Sequence, residues 1–262
     1  MSAFSLAARD SSTMLRRNLL HARRYPSLTL NLLLTPVMML LLFVYVFGDV
    51  MSAGMGGGAD RAAYIAYVVP GILMMTVGGT VVGTAVSVSN DMTEGIVARF
   101  RTMAIHRPSI LVGHVVGSVL QCVMSVLLVG AVAVAIGFRA TDATALEWLA
   151  AFGMTILIAF ALTWIAVGMG LVSPNAEAAS NNALPLVVLP LISSAFVPID
   201  SMPGWFRPLA EYQPFTPAIE TLRGLLLGTE IGNSAWIALA WCAGLTVLGY
   251  VWSKSTFDRG AK

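Results

Sequence analysis

Charge is what this chain has least of. Asp, Glu, Lys and Arg make up 11% of its 262 residues, against 57% hydrophobic residues and a mean hydropathy of +0.81. Soluble domains carry roughly 25% charged residues. A chain this poor in charge cannot cover a surface that faces water, and the solvent its composition suits is a lipid bilayer. Lysine is nearly absent, with only Lys254 and Lys262. A formal net charge of +2 without a dense basic tract in a solvated domain argues against a nucleic-acid partner. Cysteine is confined to Cys122 and Cys242, both deep in apolar runs, where they read as packing residues rather than a disulfide. Catalytic patterns are missing as well. No GxxxxGK[ST] loop is present, and Lys254-Ser255 lacks the preceding glycines. No Cys/His cluster has metal-ligand spacing. Two of the three histidines, His21 and His106, sit among arginines at a membrane edge and offer no Ser/His/Asp arrangement. The chain is therefore expected to have no catalytic residues, metal or cofactor of its own, and any work it does must draw on energy from elsewhere.

What is present is long apolar runs. Windows free of Asp, Glu, Lys and Arg cover residues 25–48, 62–90, 108–138, 148–176, 178–199 and 231–253. Each exceeds the ~20 residues of a spanning helix, and one central charge would cost roughly 2.5–3.5 kcal/mol on insertion. The expectation is an all-α polytopic membrane protein with six spans near 27–47, 64–88, 110–137, 149–172, 183–199 and 234–252. The first run is about twice too long for a signal-peptide core. With the N-terminus inside, eleven Lys and Arg fall on inner segments and four (Arg61, Arg139, Arg207, Arg223) on outer ones. That bias puts both termini, the 89–109 segment and a short 173–182 turn in the cytosol.

Two polar stretches flank this scaffold on the inner side. Residues 1–24 project as a helix with Arg9, Arg16, Arg17, Arg23 and Arg24 on one side and Phe4, Met14, Leu15 and Leu19 on the other. The pattern suits a helix lying in the membrane interface against anionic headgroups, either as an anchor alone or also touching a cytosolic partner. Residues 89–109 carry Asp91, Glu94, Arg99, Arg101 and Arg107, with Met92, Ile96, Phe100 and Met103 on the opposite face. This reads as an amphipathic helix ended by Pro108, a handle for a soluble partner. Rigid apolar attachment on one side and charge on the other is what force transmission requires, with Glu94 and Arg101 as the leading contacts.

The outer side is less regular. Pro185, Pro190 and Pro198 interrupt a short fifth span. Residues 200–230 then mix Trp205, Phe206, Leu209, Tyr212 and Phe215 with Pro203, Pro208, Pro214 and Pro217. Two short helices near 203–211 and 216–227, dipping into the outer leaflet and returning, fit this composition; an ordered external loop is the alternative. Glu220 and Arg223, spaced i,i+3, are positioned to pair. Gly79 and Gly83, like Gly113 and Gly117, have the GxxxG spacing of close helix packing, within the chain or at a dimer seam. His114 and Gln121 are isolated on the third span, and no paired intramembrane carboxylate supports a proton relay.

The run Glu94-Gly95-Ile96-Val97-Ala98-Arg99-Phe100-Arg101, then Arg107 and an apolar helix, resembles the first cytosolic loop of ABC type 2 export permeases, in particular the daunorubicin-resistance branch. A second block is also similar in order and spacing. It comprises Ala195-Phe196-Val197-Pro198-Ile199, Ser201-Met202-Pro203-Gly204-Trp205, Gln213-Pro214-Phe215-Thr216-Pro217 and Leu222-Arg223-Gly224-Leu225. The resemblance spans essentially the whole chain. Gln213 stands where the family often has Asn, and the turn Ser173-Pro174-Asn175-Ala176-Glu177 falls in a variable place.

The resemblance implies a transmembrane subunit energised by a separate ATPase, with ATP and Mg held in that partner. It implies a second permease chain, identical or paralogous, and a multi-pass place in a bacterial plasma membrane. Asp91, Glu94, Gly95, Arg99, Arg101, Arg107 and Glu177 would form the ATPase-coupling interface. Pro198, Pro203, Trp205, Phe206, Pro214, Phe215, Glu220 and Arg223 would form an external gate. Asn31, Met38, Met74 and Phe196 would line a path for an amphipathic or lipophilic substrate. Alternatives are a lipid-linked glycan exporter, an ATP-independent secondary transporter, or an anchoring subunit. A secondary transporter would want buried ionisable groups or an inverted repeat, and an anchoring subunit would not need a charged handle.

Overall fold

The computed structural model describes residues 26–50, 61–94, 108–140 and 143–259. Among them every regular element is helical. Helix α1 (Pro26–Leu41) runs into a π-helical turn (Leu42–Val46). Helices α2 (Arg61–Thr93), α3 (Pro108–Ala135), α4 (Ala145–Val172) and α5 (Ala176–Leu191) follow. After a 3-10 turn (Ile199–Ser201) come α6 (Arg207–Tyr212), α7 (Phe215–Leu227) and α8 (Ser234–Arg259). The expected interfacial helix over 1–24 and most of the expected coupling helix, residues 95–107, lie outside the described residues.

Helix starts follow local chemistry. Thr144 and Glu147 form a reciprocal capping box at α4, with the Thr144 N–H 2.6 Å from Glu147 Oε2 and the Glu147 N–H 3.3 Å from Thr144 Oγ1. Pro108 opens α3, where its missing N–H costs nothing. Asn175 caps α5, its Oδ1 accepting from the Ala178 N–H at 2.8 Å.

Among the described residues four helices are long and apolar enough to cross a bilayer: α2, α3 from Leu111, α4 and α8. The first expected span coincides with the 16 residues of α1 continued by the five of the π-helical turn. The fifth is shorter than expected. Helix α5 has 16 residues, about 24 Å of rise against a hydrocarbon core of about 30 Å. The expected 173–182 turn and 183–199 span are thereby corrected. The Asn175 cap starts the helix seven residues earlier, and the chain leaves it after Leu191, just past Pro190.

Helix α2 is the axis. It packs against α1, α3, α4, α5 and α7. Its most apolar window is 72% buried inside the chain, against 17% for the corresponding window of α8. A helix apolar on all sides is a core helix. Close approach along it comes from glycines other than the expected pair. A Cβ on Gly78 would collide with the Leu186 carbonyl oxygen on α5, whereas one on Gly79 or Gly83 would meet no neighbour within 4 Å. Space between α2 and α5, not the GxxxG spacing, is what excludes a side chain. On the α3 side, Thr84 Oγ1 meets Ser118 Oγ inside the bundle.

Candidate functional site

Buried polar side chains that link different helices form a cluster at each end of α2, besides the Thr84–Ser118 contact midway along it. At the Thr93 end, His114 Nε2 of α3 stands 3.1 Å from Asp91 Oδ2 of α2, and the two side chains are only 7% and 10% exposed. Val88, Leu111, Val115, Trp164, Val167 and Phe257 form an apolar cluster at this end. A carboxylate buried among such groups is stable only when it is paired. The pair joins the two helices that flank residues 94–107. Nearby, Ser89 Oγ donates to the Ser173 carbonyl at 3.4 Å and Asn182 Nδ2 to Ser173 Oγ at 3.0 Å. These bonds tie the end of α2 to the end of α4 and the start of α5. Ser253 of α8 donates to the Trp164 carbonyl at 3.0 Å.

At the Arg61 end the partner groups are mostly backbone. Arg223 Nη2 of α7 donates to the carbonyls of Tyr67 at 3.2 Å and Ser194 at 2.9 Å. Its guanidinium carbon lies 3.9 Å from the centre of the Tyr67 ring, a cation–π contact. Tyr67 Oη donates to the same Ser194 carbonyl at 3.0 Å. Gln213 Nε2 donates to the Leu189 carbonyl at 3.2 Å, and its Oε1 accepts from the Phe215 N–H at 3.2 Å. Thr216 Oγ1 donates to the Ala210 carbonyl and accepts from the Ser194 N–H. Through these groups the α5–α6 connection, α7 and the first turns of α2 become one polar knot. The Phe43 ring of the π-helical turn stacks on Phe196 beside it, with ring centres 4.1 Å apart.

The coupling residues anticipated from the sequence are distributed unevenly. Ser89–Thr93 are continuous with α2 and do not begin a separate helix. Asp91 is inside the chain and paired, so no partner protein reaches its carboxylate in this conformation. Glu94 is exposed on the turn after α2, with its N–H on the Asn90 carbonyl at 2.9 Å. Glu177 is exposed in the first turn of α5. Gly95, Arg99, Arg101 and Arg107 lie outside the described residues, as do Arg9, Arg16, Arg17, Arg23 and Arg24.

Among the gate residues, Pro214 and Phe215 are buried and Pro203 is exposed. Pro198 immediately precedes the 3-10 turn Ile199–Ser201. Trp205, 82% exposed, packs edge-on to Phe206. The expected Glu220–Arg223 pair is not formed. Arg223 turns inward to two carbonyls, and Glu220 Oε2 accepts from Ser234 Oγ of α8 at 3.0 Å. Arg223 thus shares the Ser194 carbonyl with the Tyr67 hydroxyl instead of meeting the i,i+3 carboxylate. Of the path residues, Asn31 falls on α1, Met38 is exposed, Phe196 is stacked under Phe43, and Met74 is fully buried in the core. Met38 and Met74 therefore do not share a surface. The residues that sequence reasoning passed over are Tyr67 and Ser118, which act through their hydroxyls, and Ser194, which acts through its backbone; none carries a distinguishing pattern in sequence.

Long apolar helices joined by buried polar clamps fit a multi-pass membrane protein. The chain belongs to the ABC-2 type transporter family, whose model matches residues 10–227. It is 29% identical over 249 residues to the daunorubicin resistance ABC transporter permease protein DrrB1 of Streptomyces coeruleorubidus, covering 94% of this chain and 85% of that one. It is 22% identical over 180 residues to the probable doxorubicin resistance ABC transporter permease protein DrrC of Mycobacterium tuberculosis, covering 67% of this chain and 64% of that one. Family members are transmembrane subunits without an ATPase site of their own, and the family implies an ABC ATPase partner in a typically dimeric assembly.

Proposed function

We propose that this chain is the permease subunit of an ATP-driven exporter that moves an amphipathic or lipophilic compound outward across the plasma membrane. The names of its relatives, which are drug-resistance permeases, support that substrate class. In this reading residues 1–24 form an interfacial helix and residues 25–262 a six-span domain. Helix α1 with its π-helical turn is the first span, and α5 with the turn after it is the fifth. Helices α6 and α7 form a re-entrant pair near the outer face. Both termini, the Thr93 end of α2 and the Arg259 end of α8 are cytosolic.

The observation that carries the mechanism is the Asp91–His114 pair. The ends of residues 94–107, the segment with Glu94, Arg99, Arg101 and Arg107, are rooted on α2 and α3, which this pair clamps together inside an apolar cluster. An ATPase that closes on ATP moves the permease only if its contact with that segment differs between open and closed states. A clamp at the root passes that movement into both helices at once rather than letting the segment flex alone. ATP and Mg act in the partner, and a second copy or a paralogue completes the assembly. The segment can be tested by co-expressing the chain with candidate ABC ATPases. Glu94→Ala and Arg101→Ala should lower drug efflux and stimulated ATP hydrolysis severalfold at equal membrane abundance. Unchanged efflux in both variants would sink the coupling role, and failure to co-purify with any ABC ATPase would sink the exporter reading itself.

A further inference from the structure

We propose that the groove between the last turns of α8 and the Thr93-side ends of α2 and α4 is a binding site for an anionic phospholipid. The groove is an open depression with walls from three helices: Met92 of α2, Leu171 and Val172 of α4, and one stripe of α8. On α8 the stripe runs Gly244, Leu248, Val251, Ser255, Arg259, at spacings of four, three, four and four. Those spacings keep it on one face. Fifteen residues of α-helix rise about 22 Å, close to the depth of one leaflet with its headgroups.

The chemistry is graded along that length. From Gly244 to Val251 the wall is apolar; Ser255 and Thr256 then bring hydroxyls, and Arg259 a guanidinium. A phospholipid presents the same order, with acyl chain, ester and glycerol oxygens, then phosphate. At the apolar end Gly244 is exposed and a Cβ there would meet nothing within 4 Å, which leaves room for an acyl chain to lie along the helix. Among the described residues Arg259 is exposed and no hydrogen bond or ion pair engages it, which leaves its planar fork for a phosphate. Lys254 and Asp258 share the last turns of α8 but do not line the groove. The other side of α8 packs on α4: Gly249 lies against Trp164 and Ile165, while Trp252, which also edges the groove, lies against Gly168. A lone lipid-facing helix offers a convex ridge; three helices here make a concave seat with a cation at its rim.

This inference requires only that the chain spans a bilayer, so it stands or falls separately from the export reading. The full chain is reconstituted in vesicles of phosphatidylcholine and phosphatidylglycerol at equal mole fractions, re-extracted, and its retained lipid counted by native mass spectrometry. The wild type should retain phosphatidylglycerol about fivefold over phosphatidylcholine, as one cation near the membrane surface provides. Arg259→Ala should bring that ratio to near unity, and Arg259→Lys should keep most of it. Gly244→Phe, which fills open space, should reduce retention of both lipids with no loss of thermal stability. An unchanged preference in Arg259→Ala would overturn the proposal. So would a photo-crosslinker at Leu248 that captures residues 1–25 or a second copy of the chain instead of lipid.

Discussion

The two ends of α2 are held by different kinds of bond. At the Thr93 end the clamp is one carboxylate and one imidazole, side chain to side chain. At the Arg61 end it is an arginine reaching backbone carbonyls of Tyr67 and Ser194, supported by a ring face and a tyrosine hydroxyl. Backbone acceptors stay wherever the chain goes and cannot be removed by substitution. A side-chain pair depends on both partners and opens when either side chain rotates away. The Arg61 end thus joins α2, the α5–α6 connection and α7 through main-chain acceptors, while the Thr93 end joins α2 and α3 through a side-chain pair.

The largest effect should come from splitting the side-chain clamp. Asp91→Ala or His114→Ala leaves one polar group buried without its partner, and breaking a buried pair typically costs about 3–5 kcal/mol. The double variant Asp91→Leu with His114→Leu should recover most of that loss. Melting temperatures of the purified proteins in detergent, arranged as a double-mutant cycle, measure the coupling; strictly additive losses would show that the two residues act independently.

Arg223→Ala should come next, at about 2–3 kcal/mol, since two bonds from a charged donor are lost and the Ser194 carbonyl keeps only the Tyr67 hydroxyl. Arg223→Lys should rescue only part of it, because an ammonium has donors for both carbonyls but no planar face to stack on Tyr67. If Lys restores full stability, the stacking on Tyr67 is not what matters. Limited proteolysis between Pro198 and Pro214 gives a local readout of the same event.

Gly78→Ala should cost about 1–3 kcal/mol by forcing α2 and α5 apart, whereas Gly79→Ala should be neutral or slightly stabilising through helix propensity. Equal behaviour of the two would mean that the α2–α5 approach is looser than the Leu186 carbonyl contact requires. The smallest change is Thr84→Ala, at about 1 kcal/mol, which removes the bond to Ser118 midway between the two clamps. Thermal unfolding distinguishes it from a loss at either end.

Much of the architecture was legible because lipid imposes a coarse rule. A bilayer admits long apolar helices and excludes isolated charge, so runs free of Asp, Glu, Lys and Arg announce α2, α3, α4 and α8 directly. Helix α7 was legible for a related reason, since Gln213-Pro214-Phe215 and Gly228 bracket it with a start and a left-handed stop. The fifth helix was misplaced because a charge-free window does not register a cap: Asn175 begins α5 within what composition marks as a turn. Asp91 was misread for a similar reason. On a projection it belongs with Glu94 and Arg101 on a solvent face, but α2 runs straight through it and turns it onto α3.

The sequence by itself determined that this chain lives in a membrane, which segments cross it most readily, and that it has no nucleotide loop of its own. Its resemblance to export permeases could be read from two blocks of residues, because composition and local order survive without knowledge of neighbours. Only the tertiary structure decided which polar groups meet. His114 became the partner of Asp91, Arg223 chose carbonyls over Glu220, and Gly78 rather than Gly79 became the point of closest approach. Each of these outcomes depends on what a second helix presents within a few ångströms. No periodicity along a single segment encodes that distance.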